Sequence, residues 1–108
     1  MKILAILAAL FLSIGYGYAQ TYEKFVEKSF DFLDKNDLVS AEESLRAAMR
    51  LEPGNPNNYA LLMNLGTIQR RQGKLEDALL SYTAALSRHP NNEAILENRA
   101  GLYTEMGE

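Results

Sequence analysis

The feature that most constrains this fold is an internal repetition with a period of 34 to 37 residues. Adding 37 to six residue numbers in the first half of the chain leads to residues of similar type in the second half. The first set is Leu38, Ala41, Leu45, Ala48, Met49 and Pro53, and the second is Leu75, Ala78, Tyr82, Ala85, Leu86 and Pro90. At an offset of 34, Leu62, Gly66, Gln69 and Gly73 lead to Leu96, Ala100, Tyr103 and Gly107. Repetition at this period is typical of stacked helical hairpins.

Within each repeat the apolar residues follow the i, i+3, i+4, i+7 spacing of an amphipathic helix. This spacing predicts helices over residues 22–35, 38–51, 59–72, 75–88 and 93–106, with residues 52–58 as a link without helix. Gly66, Ala78 and Ala85 lie within the apolar stripes, and their small size allows two helix axes to approach closely. Because a proline disfavours helix at the residue before it, Pro90 is expected to end the fourth helix.

Local signals support these boundaries. Asn36 and Gly73 stand at equivalent turns, and both residue types tolerate the left-handed conformation that ends many helices. Asp37 is a candidate N-cap, and Glu42 precedes Arg46 by four residues, which predicts a surface ion pair.

At these positions the chain resembles the tetratricopeptide repeat. That family's pattern is a large residue, then Leu-Gly, an aromatic, a turn Gly, an Ala, an aromatic and a Pro at set spacing. The second unit, residues 59–92, supplies Leu62, Leu65, Gly66, Gly73, Ala78, Tyr82, Ala85 and Pro90. It departs from the pattern at Leu62, often Trp, and at Gln69, usually Tyr. The first unit, 22–55, has Lys28-Ser29 in place of Leu-Gly, and the third, 93–108, is partial.

The resemblance implies an all-α fold, a right-handed superhelical stack of antiparallel helical hairpins with about two and a half repeats. Helix 93–106 keeps an apolar side that a following helix would cover. The sequence therefore suggests a fragment of a longer chain or, as an alternative, a chain that self-associates through its unfinished third unit.

Residues 1–19 have the layout of a secretory signal peptide. Lys2 precedes an uncharged apolar run at residues 3–14, and Gly17 and Ala19 suit cleavage before Gln20. A helix of that apolar run would span roughly 18 Å, short of the ~30 Å hydrocarbon core, so an uncleaved anchor is the less favoured alternative. The sequence thus predicts an exported repeat domain at residues 20–108, periplasmic or extracellular, with membrane contact only during export.

Little in the chain suggests chemistry. There is no cysteine, the net charge of −3 argues against general nucleic-acid binding, and His89 is the only histidine. His89 is expected to complement the negative end of a helix, and the acidic pairs Glu42-Glu43 and Glu76-Asp77 the positive ends of two others. We therefore expect no enzyme, no cofactor and no metal site.

What remains is a binding surface. In the resembled family, positions 2, 5, 9, 12 and 13 of each unit line a concave groove. In this chain those positions are Glu23, Val26, Phe30, Leu33, Asp34, Ala60, Met63, Thr67, Arg70, Arg71, Ala94, Glu97, Gly101, Thr104 and Glu105. The candidate peptide-binding residues among them are Val26, Phe30, Leu33, Met63, Thr67, Arg70 and Arg71. Phe30 and Met63 would form an apolar floor beside two arginines that suit an acidic anchor.

These observations favour an exported module that binds a peptide or protein segment of unknown identity. One alternative is the non-catalytic N-terminal repeat region of a larger secreted enzyme or envelope-assembly factor. Another is a structural role in which chain ends stack into an oligomer.

Overall fold

A computed structural model describes residues 21–107, and within that range all regular secondary structure is helical. Five helices follow one another: α1 Tyr22–Asp34, α2 Leu38–Leu51, α3 Asn58–Arg71, α4 Leu75–Arg88 and α5 Glu93–Glu105. The predicted signal peptide lies outside the described residues. The predicted bounds of α2 and α4 are confirmed. Those of α1 and α5 end one residue earlier than predicted, and α3 both begins and ends one residue earlier.

The helices stack as two antiparallel hairpins, α1–α2 and α3–α4, with α5 packed against the second hairpin. The most extensive contacts lie within each hairpin, α3 also packs on α2, and α5 packs on α4 and touches α3. The described chain is therefore a helical-repeat solenoid, and the predicted all-α fold class is confirmed.

Three of the five described helices, α1, α2 and α5, begin with a side-chain cap. Thr21 accepts a hydrogen bond from the Lys24 amide, Asp37 from Ser40 and Asn92 from Ile95, each at 3.1 Å. Such caps satisfy backbone donors that have no partner inside the helix. The predicted cap at Asp37 is thus confirmed.

The two intra-hairpin turns use a left-handed residue. Asn36 has φ 58° and Gly73 has φ 79°. Gly has no steric penalty in this region, and Asn tolerates it better than most residues because its short polar side chain can form local hydrogen bonds, which explains an Asn in one turn and a Gly in the other.

Two apolar clusters form the core. The first joins α1, α2 and α3 around Leu45, Ala48 and Leu65. The second joins α3, α4 and α5 around Tyr82, and it includes Ala78 and Ala85, both fully buried. Close approach of the helices at these alanines was predicted from the sequence. Gly66 explains the tightest contact, since a Cβ there would lie 2.7 Å from the Tyr82 ring.

Polar side chains join one hairpin to the next. The buried Tyr22 hydroxyl donates to Asn58 Oδ1 at 2.8 Å, and Asn58 Nδ2 donates to the carbonyl oxygens of Glu52 at 2.8 Å and Pro53 at 3.3 Å. Asn58 is the first residue of α3, so the prediction that the non-helical link reaches residue 58 was wrong by one residue. Because its side chain holds the link, Asn58 acts as part of the packed structure rather than as loop.

The departure from the family pattern at Gln69 has a similar role. With its amide nitrogen toward α4, Gln69 donates to the Asp77 carbonyl at 3.1 Å and to Ser81 Oγ at 2.5 Å. Its oxygen then accepts from Arg46 Nη2 at 3.2 Å, so a residue of α2 reaches into the second hairpin. This orientation satisfies both ends of the amide, and the buried amide replaces an aromatic contact with a hydrogen-bond network.

Candidate peptide-binding groove

The candidate groove residues lie on the first helix of each hairpin. Val26, Phe30 and Leu33 fall on one side of α1, because they are spaced three and four residues apart. Met63, Thr67, Arg70 and Arg71 occupy the equivalent side of α3. The fold therefore places both sets in register, one hairpin apart.

Phe30 is the most exposed of the apolar candidates. Its side chain is 50% exposed, whereas Val26 and Leu33 are partly buried against the first core cluster. Met63 is partly buried against the second cluster. Two of the three α1 residues thus serve both core and surface, and Phe30 alone projects well into solvent.

An apolar depression opens beside Val26. It encloses about 340 Å³ between α1 and the start of α3 and is lined by Tyr22, Glu23, Val26, Glu27, Asn57 and Leu61. Glu27 pairs with Lys24 at 3.6 Å on the exposed surface. Two carboxylates at its edge make this end of the candidate groove acidic.

Thr67 is tied to the core by its hydroxyl. Its Oγ1 lies 2.8 Å from the Tyr82 hydroxyl and donates to the Met63 carbonyl oxygen at 3.2 Å. Thr67 therefore orients the phenol that covers Gly66, and its surface contribution is mainly its methyl group.

Arg70 is engaged by α5. Its Nε donates to Glu105 Oε1 at 2.9 Å, and its guanidinium packs 3.2 Å from the position of a Cβ at Gly101. The hydrogen bond to Glu105 raises the pKa of Arg70, which keeps the guanidinium charged. All three residues were assigned to groove positions, but their mutual contact was not foreseen. Opposite charges at positions 12 and 13 of successive units were the available signal.

Arg71 is exposed and bonds a turn rather than a carboxylate. Its Nη2 donates to Asn36 Oδ1 at 2.8 Å, which links the end of α3 to the turn of the first hairpin. A neutral acceptor leaves the charge of Arg71 uncompensated by this contact. The middle of the candidate groove is therefore basic, with Arg71 the more accessible of the two arginines.

Other exposed apolar side chains lie on the second helices of the hairpins. Val39 on α2 and Leu80 on α4 are each 69% exposed, more than Phe30. Single exposed apolar residues are common on protein surfaces. Exposure alone does not distinguish Phe30, and its candidacy depends on its position one helical turn from Val26 on the groove side of α1.

Within residues 21–107, no group of three or more His, Asp or Glu side chains could hold a metal ion. None of the five helices is long and apolar enough to cross a membrane.

Comparison with known proteins finds similarity to one repeat family. The family described as tetratricopeptide repeat matches residues 59–92, the same residues as the second predicted unit. A crystal structure of a tetratricopeptide repeat protein from Parabacteroides merdae ATCC 43184 is 73% identical and superposes with a TM-score of 0.80. That similarity covers 82% of this chain and 35% of the solved chain.

Curated relatives are more distant and much longer. Human protein O-mannosyl-transferase TMTC1 is 36% identical over 74% of this chain, and human general transcription factor 3C polypeptide 3 is 29% identical over 81%. Photosystem I assembly protein Ycf3 of Synechococcus sp. (strain CC9605) is 30% identical over 66%. The chain spans 9%, 10% and 41% of these three proteins, respectively.

Proposed function

We propose, for a solenoid whose residues 59–92 are a tetratricopeptide repeat, that the groove side of α1 and α3 binds a peptide or protein segment. Tetratricopeptide repeats generally mediate protein–protein interactions, and solenoids present extended surfaces for this purpose. The fold of such repeats is typically a non-catalytic scaffold. The partner remains to be identified.

One observation carries this proposal: half-exposed Phe30 lies one helical turn from Val26, which lines the apolar depression, and the equivalent side of α3 ends in Arg70 and Arg71. A ligand that covers Phe30 removes apolar surface from water, which is the main favourable term in association. Aromatic and arginine side chains are also the residue types that most often dominate interface energetics. The expected ligand is an extended or helical segment with an apolar residue and a nearby carboxylate.

The contact between Arg70 and Glu105 decides which arginine would hold that carboxylate. A ligand that reached Arg70 would have to compete with a hydrogen bond of 2.9 Å. Arg71 contacts only a neutral amide among the described residues, so its charge is the better anchor. An arginine fork can hold a carboxylate through two parallel hydrogen bonds.

Binding is tested by affinity capture from the envelope fraction of the source organism, with Phe30→Ala and Arg71→Gln as paired variants. Each substitution is expected to lower capture of the same partner by about tenfold, equivalent to roughly 1.4 kcal/mol. Val39→Ala is the matched control, because Val39 is exposed but lies on α2. An equal loss of capture in the control, or no loss of capture in either variant, would contradict the assignment of the groove.

Export is a second part of the proposal and rests on residues 1–19. Lys2, the apolar run and the small residues before Gln20 support cleavage of a secretory signal peptide. Expression in the source organism followed by mass spectrometry should find a periplasmic or extracellular protein that begins at Gln20. A membrane-bound product with residues 1–19 intact would establish the anchor instead.

The alternative function is a non-catalytic repeat region of a larger secreted enzyme or envelope-assembly factor. The observation that favours it is the small share of each relative that the chain spans, between 9% and 41%. Reading the gene beyond codon 108 tests it directly, since an immediate stop codon would exclude this alternative.

A further inference from the structure

Each complete hairpin has a crevice between its two helices, and the two crevices are equivalent. Six residues that line the first are Phe25, Lys28, Phe32, Glu43, Ser44 and Ala47. Adding 37 to each number gives six residues that line the second: Leu62, Leu65, Gln69, Leu80, Ser81 and Ala84. Each crevice is therefore a feature of the repeat, so their contents can be compared position by position.

The second crevice is occupied by a side chain from the preceding hairpin. Arg46 of α2 lies along it and donates to the Gln69 oxygen at 3.2 Å. Glu42 holds the same guanidinium at 3.3 Å from the other side. With Arg46 in place, the remaining space is about 260 Å³. The crevice thus serves as the seat for a long side chain that projects from a neighbouring helix.

The first crevice is larger, and only residues of α1 and α2 line it. It encloses about 540 Å³. Ligand pockets typically measure about 300–1,000 Å³. The first crevice falls within that range and the second below it. No described residue of another helix enters the first crevice as Arg46 enters the second.

The side chains that line the first crevice also differ in chemical type from those that line the second. The position of Gln69, which receives the guanidinium, is taken by Phe32, and that of Leu62 by Phe25. The first crevice therefore presents two aromatic rings and lacks the amide oxygen that accepts from Arg46 in the second crevice. The apolar walls favour a bulky aliphatic or aromatic side chain.

The rim of the first crevice is more basic than acidic. Lys28, Lys35 and Arg50 face Asp31 and Glu43 around it. Among residues 21–107, neither Lys35 nor Arg50 forms an ion pair, while the Lys28 ammonium lies 5.7 Å from the Phe25 ring centre. Complementary charge steers association and fixes register more than it adds affinity. The excess of cations therefore selects a partner with a carboxylate near its apolar residue.

We propose that the first crevice docks an amphipathic helix of a partner protein. A bulky apolar side chain of that helix lies between Phe25 and Phe32, and a carboxylate one turn away contacts Lys35 or Arg50. A helix is the expected partner because the second crevice receives its side chain from one. This surface is separate from the groove, since Phe25 lies roughly 140° around α1 from Phe30.

The test uses the full chain and two labelled synthetic peptides. Each is an amphipathic helix of about 20 residues, long enough to be helical in water. One carries Phe and Leu on its apolar side with Glu one turn away, and the other replaces each Glu with Lys. Fluorescence anisotropy should show that the acidic peptide binds at least about tenfold more tightly.

Two variants with matched controls locate the binding. Ala47→Phe fills the first crevice and Arg50→Glu reverses its rim charge, and each should weaken the acidic peptide by at least about tenfold. Ala84→Phe and Ser87→Glu make the same changes at the equivalent positions of the second hairpin and should leave binding unchanged. Circular dichroism checks that the helices of each variant remain intact.

Several outcomes would overturn the proposal. They are equal affinity for the two peptides, equal loss in the control variants, or binding that Phe30→Ala abolishes while Arg50→Glu does not. In the last case the peptide occupies the groove, so failure of the crevice proposal is distinguishable from failure of the groove proposal.

Discussion

The two complete hairpins divide bulk between their helices to different degrees. In the second, Gly66 on α3 faces the ring of Tyr82 on α4. In the first, the equivalent residues are Ser29 on α1 and Leu45 on α2, and all four residues are buried. The Ser29 hydroxyl donates to the Val26 carbonyl oxygen at 2.6 Å, so its polar atom is satisfied within the helix. A larger residue on one helix is thus matched by a smaller one on the other.

This difference teaches that the repeat conserves the volume of a helix pair rather than the residue at one position. Protein interiors are close-packed, so a change on one side must be met on the other. The Leu-Gly element that is absent from the first hairpin is therefore compensated there. The following predictions test that view.

Truncating the larger residue of each pair, Tyr82 or Leu45, should cause the largest loss of stability. Tyr82→Ala is expected to lower the free energy of unfolding by about 3–5 kcal/mol, because it empties a fully buried aromatic site. Leu45→Ala removes fewer atoms from the first hairpin and should cost less. Urea denaturation followed by circular dichroism measures both, and an equal loss would contradict the different roles of the two sites.

Enlarging the smaller residue of the second pair, Gly66, should cause the next largest loss of stability. Gly66→Ala places a methyl group 2.7 Å from a ring that cannot move away, and such overpacking costs about 1–3 kcal/mol. Replacing Tyr82 by Leu in the same chain should recover part of the loss, since this reproduces the pairing of the first hairpin. Ser29→Ala is the control and should change stability little. Strictly additive losses in the double variant would break the comparison.

The links between repeats also differ. Tyr22 donates to Asn58 of the next hairpin, whereas the equivalent Tyr59 contacts His89 at the end of its own hairpin, with ring centres 3.9 Å apart and the rings tilted by 47°. Tyr22→Phe leaves a buried oxygen of Asn58 without its donor and should destabilise by about 1–2 kcal/mol. Tyr59→Phe keeps its ring contact and should cost less, as thermal denaturation of both variants would show.

The stability contributed by Tyr22 is expected to depend on pH. Burial, and then the charge of Glu52, raise the pKa of Tyr22 above its ordinary value. A raised folded-state pKa means that this contribution to stability is complete below the unfolded pKa of about 10 and is lost as pH rises through the folded pKa. Denaturation curves between neutral and strongly alkaline pH should show this fall, and it should be smaller in Tyr22→Phe.

The smallest effect is expected at the contact between Arg70 and Glu105. Both side chains are partly exposed, 26% and 46%, so solvent screens the pair. Glu105→Gln should cost at most about 1 kcal/mol, and the difference from the parent should shrink in high salt. The first hairpin has Leu33 where the second has Arg70, so salt should affect the packing of α5 more than that of α1.

Much of the fold follows from local sequence. The register of Ala78 with Ala85, the proline at 90 and the turn residues Asn36 and Gly73 each act within one or two helical turns. Their consequences could therefore be predicted, and the bounds of α2 and α4 followed from them. Asn58 was assigned to the link because its neighbours are asparagine and proline, and its side-chain bonds to Glu52 and Pro53 depend on a folded loop.

The candidate site was less predictable. The resemblance assigned Val26, Phe30 and Leu33 to groove positions, and their place on one face of α1 follows from their spacing; their role in binding stays a prediction. The pairing of Arg70 with Glu105 joins residues 35 apart and needs the crossing of α3 and α5 to be known. The two crevices could not be compared from sequence either, because the reach of Arg46 into the second hairpin depends on how the hairpins stack.

The hold of Asn58 on the preceding link has a consequence for protein engineering. Hydrogen bonds from one amide to two carbonyl oxygens fix where α3 begins, so the hinge between hairpins is set at the end of the spacer. The two carbonyl groups open the spacer and Asn58 closes it, so the amide ties together both ends of this segment. A designer who fuses further repeats could keep Asn58 and Tyr22 at this joint and confine sequence changes to residues 54–57.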